Sequence, residues 1–186
     1  MCSRICIFRT KGKYIGQIYI KAGYPRFMRL EIELIPRHSW YKSLRNAVSK
    51  EEWDALRKQV YKNADYTCEI CGASERLYCH EVWMFDSCSN RQRLNGFKAL
   101  CEHCHYVKHL GLVNVKILSG ELPAEFMEIL INHFCKVNNC DIGSFEKHRD
   151  EVSKIWLERS NMHWAIDFRN WKEVIKRNQL TLENYK

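Results

Sequence analysis

Two pairs of cysteines at C-x2-C spacing, Cys68/Cys71 and Cys101/Cys104, constrain this chain more than any other feature. Each pair brings two thiols within reach of one ion, and two such pairs can converge as four thiolates on one tetrahedral zinc, which holds a fold together where apolar side chains are few. Gly72 follows Cys71 and tolerates the positive-φ turn from which backbone amides donate to sulfur. Four unligated thiols are the competing reading, and the doubled spacing argues against it. Of the ten cysteines, Cys2, Cys6, Cys79, Cys88, Cys135 and Cys140 are left outside the pattern and read as packing residues.

A chain of 186 residues suits one domain, or one domain with an appendage. No apolar run approaches the ~20 residues needed to cross a membrane, and Met1-Cys2-Ser3-Arg4 opens no signal-peptide pattern, so a cytoplasmic, reducing location is expected. The formal charge is +8, and it is unevenly spread: residues 1–50 hold eleven Lys/Arg against Glu31 and Glu33. A one-sided basic segment suits a polyanion such as nucleic acid, or a protein partner; protection of exposed strand edges would need the same charges.

The expected architecture is α+β. Residues 1–36 form a basic segment that reads as a small antiparallel sheet (RICIFR, KYIGQIYIK, RFMRLEIELIP), the last stretch alternating Met28, Leu30, Ile32 and Leu34 with charged residues. Residues 37–66 are a linker and a helix opened by the capping box Ser49-Lys50-Glu51-Glu52, with Val48 and Trp53 as its staple and Trp53, Leu56 and Val60 as its buried stripe. Residues 67–111 carry the cysteine pairs, and Gly111 is placed to end a helix. In residues 112–170, a connection of about ten residues leads to a helix near residues 123–137 with Phe126, Ile129, Leu130, Phe134 and Val137 on one side. Asp141 then caps a second helix bearing Phe145, Val152, Ile155 and Trp156, and a short strand follows near residues 164–168. Residues 171–186 are a tail.

Three histidines accompany the cysteine pairs. If a helix opens near Glu102, His105 and His109 stand at i and i+4 on one face and can share a metal ion, while His80, at the end of the strand-like Leu77-Tyr78-Cys79, is brought alongside. The bland alternative is three satisfied polar core residues; their common position around one zinc knuckle argues for a site.

The series C-x2-C-G, C-H-E-V-W and A-L-C-x2-C-H-x-V-K-H-x-G resembles the HNH endonucleases of the His-Me finger (ββα-metal) superfamily, in particular a bacterial and phage branch carrying CHEVW. The similarity runs from about Met28 to Asp167. It implies a treble-clef-like ββα core with structural zinc on Cys68, Cys71, Cys101 and Cys104, and C-terminal helices packed on it. His80 would be the general base, and His105 and His109 would hold one divalent cation (Mg2+, Mn2+, Ni2+ or Zn2+) for hydrolysis of DNA phosphodiesters, leaving 5′-phosphate and 3′-hydroxyl ends. The residue before the base is Cys79 in place of the usual Asp or His, and the usual middle Asn falls on Gly96, with Asn95 one position early. Cys79, Glu81, Asp86 and Asn95 are therefore auxiliary candidates for metal binding or orientation, and Trp83 reads as a wall residue. The alternative function is a catalytically decayed, zinc-stabilised module that binds nucleic acid or a protein, for example a phage- or host-encoded regulator or inhibitor of a defence system.

Overall fold

Ser49 opens the first helix, α1 (Lys50–Asn63), through a reciprocal box: its hydroxyl accepts from Glu52 N at 3.1 Å and Glu52 Oε2 accepts from Ser49 N at 2.7 Å. The computed structural model describes residues 28–171 and 173; the strands expected before Met28 and nearly all of the expected tail lie outside them. The fold is α+β. After α1 come β1 (Leu77–Asp86), β2 (Arg91–Cys101), α2 (Glu102–Lys108), α3 (Leu110–Leu118), α4 (Phe126–Asn138), α5 (Ile142–Ser160) and β3 (Ala165–Asp167). Among the described residues, no helix is long and apolar enough to cross a membrane.

β1 and β2 form an antiparallel hairpin from Leu77↔Cys101 to Asp86↔Arg91, and β3 joins β2 in parallel, Arg91↔Ala165 to Arg93↔Asp167. The pairing steps from Val82↔Gly96 to Trp83↔Leu94, so Asn95 is the extra residue of a bulge, with Gly96 at φ +153°. The bulge re-phases β2 and lets both Phe97 and Leu94 meet α1, where Leu44, Trp53 and Leu56 complete a small core. The opposite side of the hairpin belongs to a larger core of Leu100, Val107, Val113, Leu130, Phe134 and Phe145, contributed by β2 and α2–α5.

Residues 28–35 keep the expected alternation in part, with Leu30 and Ile32 buried, yet they pair with no strand among the described residues. Side chains and a helix end satisfy the backbone instead. Asn138 accepts from Leu30 N at 3.0 Å and donates to Leu30 O at 2.8 Å, His148 Nε2 accepts from Ile32 N at 3.0 Å, and Lys108 O accepts from Glu33 N at 2.8 Å. Trp156 Nε1 donates to Ile35 O at 2.9 Å, and Ser160 Oγ accepts from Arg37 N at 3.3 Å.

Gly111 does not end a helix. The break falls at His109 (φ −103°, ψ 39°), and the stretch expected as a connection is α3 itself, with Leu110 and Val113 buried. A Cβ on Gly111 would lie 3.3 Å from Leu34 Cδ2, so glycine serves the close approach of the extended segment. Ile129, expected to face inward on α4, is 47% exposed, and Met127 and Ile131 pack in its place. Asp141 caps α5 as expected, accepting from Ser144 N at 2.8 Å.

Candidate metal centres

The knuckle that carries Cys68 and Cys71 closes on itself: Cys68 N donates to Ala73 O and Gly72 N to Cys68 O, both at 2.9 Å, with Gly72 at φ +80°. Glu69 then ties it to β2, its amide donating to Ala99 O at 3.0 Å while its carboxylate accepts from Ala99 N at 2.6 Å. Cys101 ends β2 and caps α2, and Cys104 lies one turn along that helix. The four Sγ atoms lie within 4.8 Å of one another, with Cys71 and Cys101 Sγ 3.5 Å apart. The sulfur–sulfur edge of a tetrahedral zinc thiolate site is about 3.8 Å, so the set fits that ion. The electrostatics agree. Hydrogen bonds from the Cys101 and Cys104 thiols pull Cys68 below the usual thiol range, whereas Cys104 is pushed well up by its bonds to the Cys101 and Cys68 sulfurs and by burial. A soft dication is what lets all four serve as thiolates together.

His133, which nothing in the spacing singled out, has Nε2 3.1 Å from Cys104 Sγ. With Arg29 and Lys136 it lines a cavity of about 380 Å³ beside Cys71 and Gly72. Arg29 and Lys136 are placed to offset the negative charge of a zinc tetrathiolate, whereas burial lowers the His133 pKa and leaves its ring a hydrogen-bond partner for the Cys104 sulfur.

The second group is histidine only. His80 on β1, His105 on α2 and His109 at the α2–α3 break offer ring nitrogens within 4.8 Å of one another. His80 is 1% exposed and its Nδ1 lies 3.2 Å from His109 Nε2. Two imidazole nitrogens on one tetrahedral zinc stand about 3.3 Å apart, so the rings fit a shared ion. Burial, then the positive potential of His80 and Arg45, pushes His105 down to about 3, and burial lowers His109 too, leaving their lone pairs free for metal at neutral pH. Tyr78 stacks on the His105 ring with centroids 5.1 Å apart.

Behind His80 stands a residue the motif does not contain. Glu33 Oε2 is 2.9 Å from His80 Nε2, and its other oxygen accepts from Lys108 Nζ, a lysine only 7% exposed at its side chain. Burial raises the Glu33 pKa, but Lys108 and then His80 outweigh it and hold the carboxyl well below its usual range.

The auxiliary candidates are not brought into either group. Cys79 and Trp83 face the α1 core, and burial pushes the Cys79 thiol up to about 12. Glu81 accepts from Leu44 N at 3.2 Å and Arg45 N at 3.0 Å, anchoring the loop that holds exposed Arg45 near His105. Asp86 caps the hairpin turn through Cys88 N and Ser89, and Asn95 occupies the bulge. Strand alternation turns Cys79 and Glu81, the neighbours of His80 along β1, to the other face, while Asp86 stands six residues away at the far end of that strand and Asn95 lies in β2. No family model, no curated protein and no solved structure matches the chain.

Proposed function

We propose that the chain is a metal-dependent HNH-type nuclease that hydrolyses DNA phosphodiester bonds. The reading is carried by one observation: three imidazoles from a hairpin strand and the helix after it converge within 4.8 Å, beside a tetrahedral sulfur set. A divalent ion on His105 and His109 would supply Lewis-acid stabilisation of the charge that develops on the phosphate. His80 takes the proton of the attacking water through Nδ1, the nitrogen that faces His109 and not Glu33. Glu33 accepts at the far nitrogen and holds the imidazole in place. Arg45, and Lys98 as the cross-strand partner of His80, put positive charge beside the corner and favour a polyanionic substrate.

The 3.2 Å separation of His80 Nδ1 and His109 Nε2 favours a second reading, in which His80 is a third ligand and a three-histidine site remains open at its fourth position. Plasmid cleavage with Mg2+, Mn2+, Ni2+ or Zn2+ decides between them when paired with metal affinities. With His80 as base, His80→Ala loses ~10²–10⁴ in rate and keeps metal affinity, whereas His105→Ala loses both. Loss of metal affinity in His80→Ala identifies a ligand. Cleavage that persists in His80→Ala overturns both roles, and an uncut plasmid with retained DNA affinity indicates the non-catalytic binding module.

A further inference from the structure

We propose that Glu33 is a positioning residue for His80: its carboxylate, clamped by Lys108, sets the proton of the imidazole on Nε2 and so presents Nδ1 to the corner shared with His105 and His109. The role deepens the hydrolysis reading and rests on it for its catalytic consequence, although the tautomer is measurable without any cleavage.

Four contacts carry it. Glu33 Oε2 lies 2.9 Å from His80 Nε2, and an ionised carboxylate can only accept there, so the hydrogen belongs to the ring. The second oxygen is held by Lys108 Nζ, which stops the carboxylate rotating away. The Glu33 amide donates to Lys108 O at 2.8 Å, so backbone and side chain grip the same residue of α2 from both sides. On the other edge of the ring, Nδ1 meets His109 Nε2 at 3.2 Å. His80 is 1% exposed and meets Glu33 at one ring nitrogen and His109 at the other, and of these two partners only the carboxylate is restricted to accepting, so it is the one that selects between the tautomers.

The arrangement also gives the lysine of the C-H-x-V-K-H run a purpose. Lys108 precedes His109 and could be taken as a solvent-facing charge, yet it is 5% exposed, with its ammonium on Glu33. A buried lysine paired with a carboxylate could be purely structural. What exceeds a structural role is the second carboxylate oxygen aimed at a ring nitrogen.

The test uses the full-length, zinc-purified protein labelled with 15N, its imidazoles read by long-range proton–nitrogen correlation and His80 assigned by its loss in His80→Gln. In the neutral ring the expected state carries the proton on Nε2. Glu33→Gln conserves size, but its amide can donate as well as accept, so both tautomers should be populated, and Glu33→Ala should show the same mixing without any partner. With saturating divalent metal and plasmid, each variant should lose about 10–100-fold in kcat with KM unchanged. A proton on Nδ1 in the unsubstituted protein overturns the proposal, as does an unchanged tautomer in Glu33→Gln, whatever the rate does. If the unsubstituted protein does not cleave, the hydrolysis reading fails and the tautomer alone decides the role of Glu33; if Glu33→Ala fails to fold, Glu33→Gln decides.

Discussion

His148 shows what a single ring can do when it is recruited as a backbone acceptor. Its Nε2 accepts from the amide of buried Ile32 at 3.0 Å, and burial, reinforced by the charge of Lys108, pushes its pKa down to about 4. An unfolded histidine titrates near 6.5. Between those values the unfolded chain binds the proton and the folded one refuses it, so the contribution is whole above about pH 6.5 and is lost progressively as pH falls toward about 4. The loss is on the order of 3 kcal/mol. Glutamine at this position can accept the same bond without titrating. Urea unfolding at a series of pH values should therefore find unsubstituted protein losing ground to His148→Gln by that amount between pH 7 and 4, and parallel profiles would remove the assignment. Nothing in the local pattern of Ile142–Ser160 distinguishes His148 from a surface histidine, because its partner lies 116 residues away.

At the scale of elements, the segment of residues 28–36 is edged by helix side chains where a sheet would supply a strand. His148, Trp156 and Ser160 are eight and four residues apart on one stripe of α5, and they meet Ile32, Ile35 and Arg37 in the same order. The spans match: twelve helical residues rise about 18 Å and five extended residues cover about 17 Å. Asn138, at the end of α4, completes the set by bonding both the amide and the carbonyl of Leu30, which is fully buried. Asn138→Ala leaves both groups without a partner and should cost about 2–4 kcal/mol, read as a lowered urea midpoint. Asn138→Asp keeps the acceptor for Leu30 N and should recover part of the loss; equal losses would show that packing, and not the paired hydrogen bonds, sets the penalty. Because this segment carries Glu33 to His80, the Asn138 variants should also weaken the histidine corner.

For the molecule as a whole, the sulfur cluster is the junction where the knuckle, the end of β2 and the start of α2 meet, with Cys68, Cys101 and Cys104 all buried in the larger core. Structural zinc contributes roughly 10–16 kcal/mol in apparent binding free energy, comparable to or larger than the net ~5–15 kcal/mol of an ordinary domain. Removal with a strong chelator should therefore unfold the core cooperatively, seen as loss of helical circular dichroism with release of one tightly held zinc per chain by native mass spectrometry. A folded, zinc-free protein would show that the apolar core suffices alone. The cysteine pairs, the capping box at Ser49, the Asp141 cap and the alternation at Leu30 and Ile32 were all legible in the sequence. Each depends on residues a few positions apart, where backbone period or ligand spacing leaves little choice. The α3 helix was hidden by Gly111, whose small size answers to Leu34 and not to a helix end. A period of two says that a segment is extended and which residues face inward, but it does not say whether a strand or a row of side chains will meet its amides. Glu33, 47 residues from His80, joins the histidine corner only because Asn138, His148 and Lys108 hold its segment there, and contacts of that range belong to tertiary packing alone.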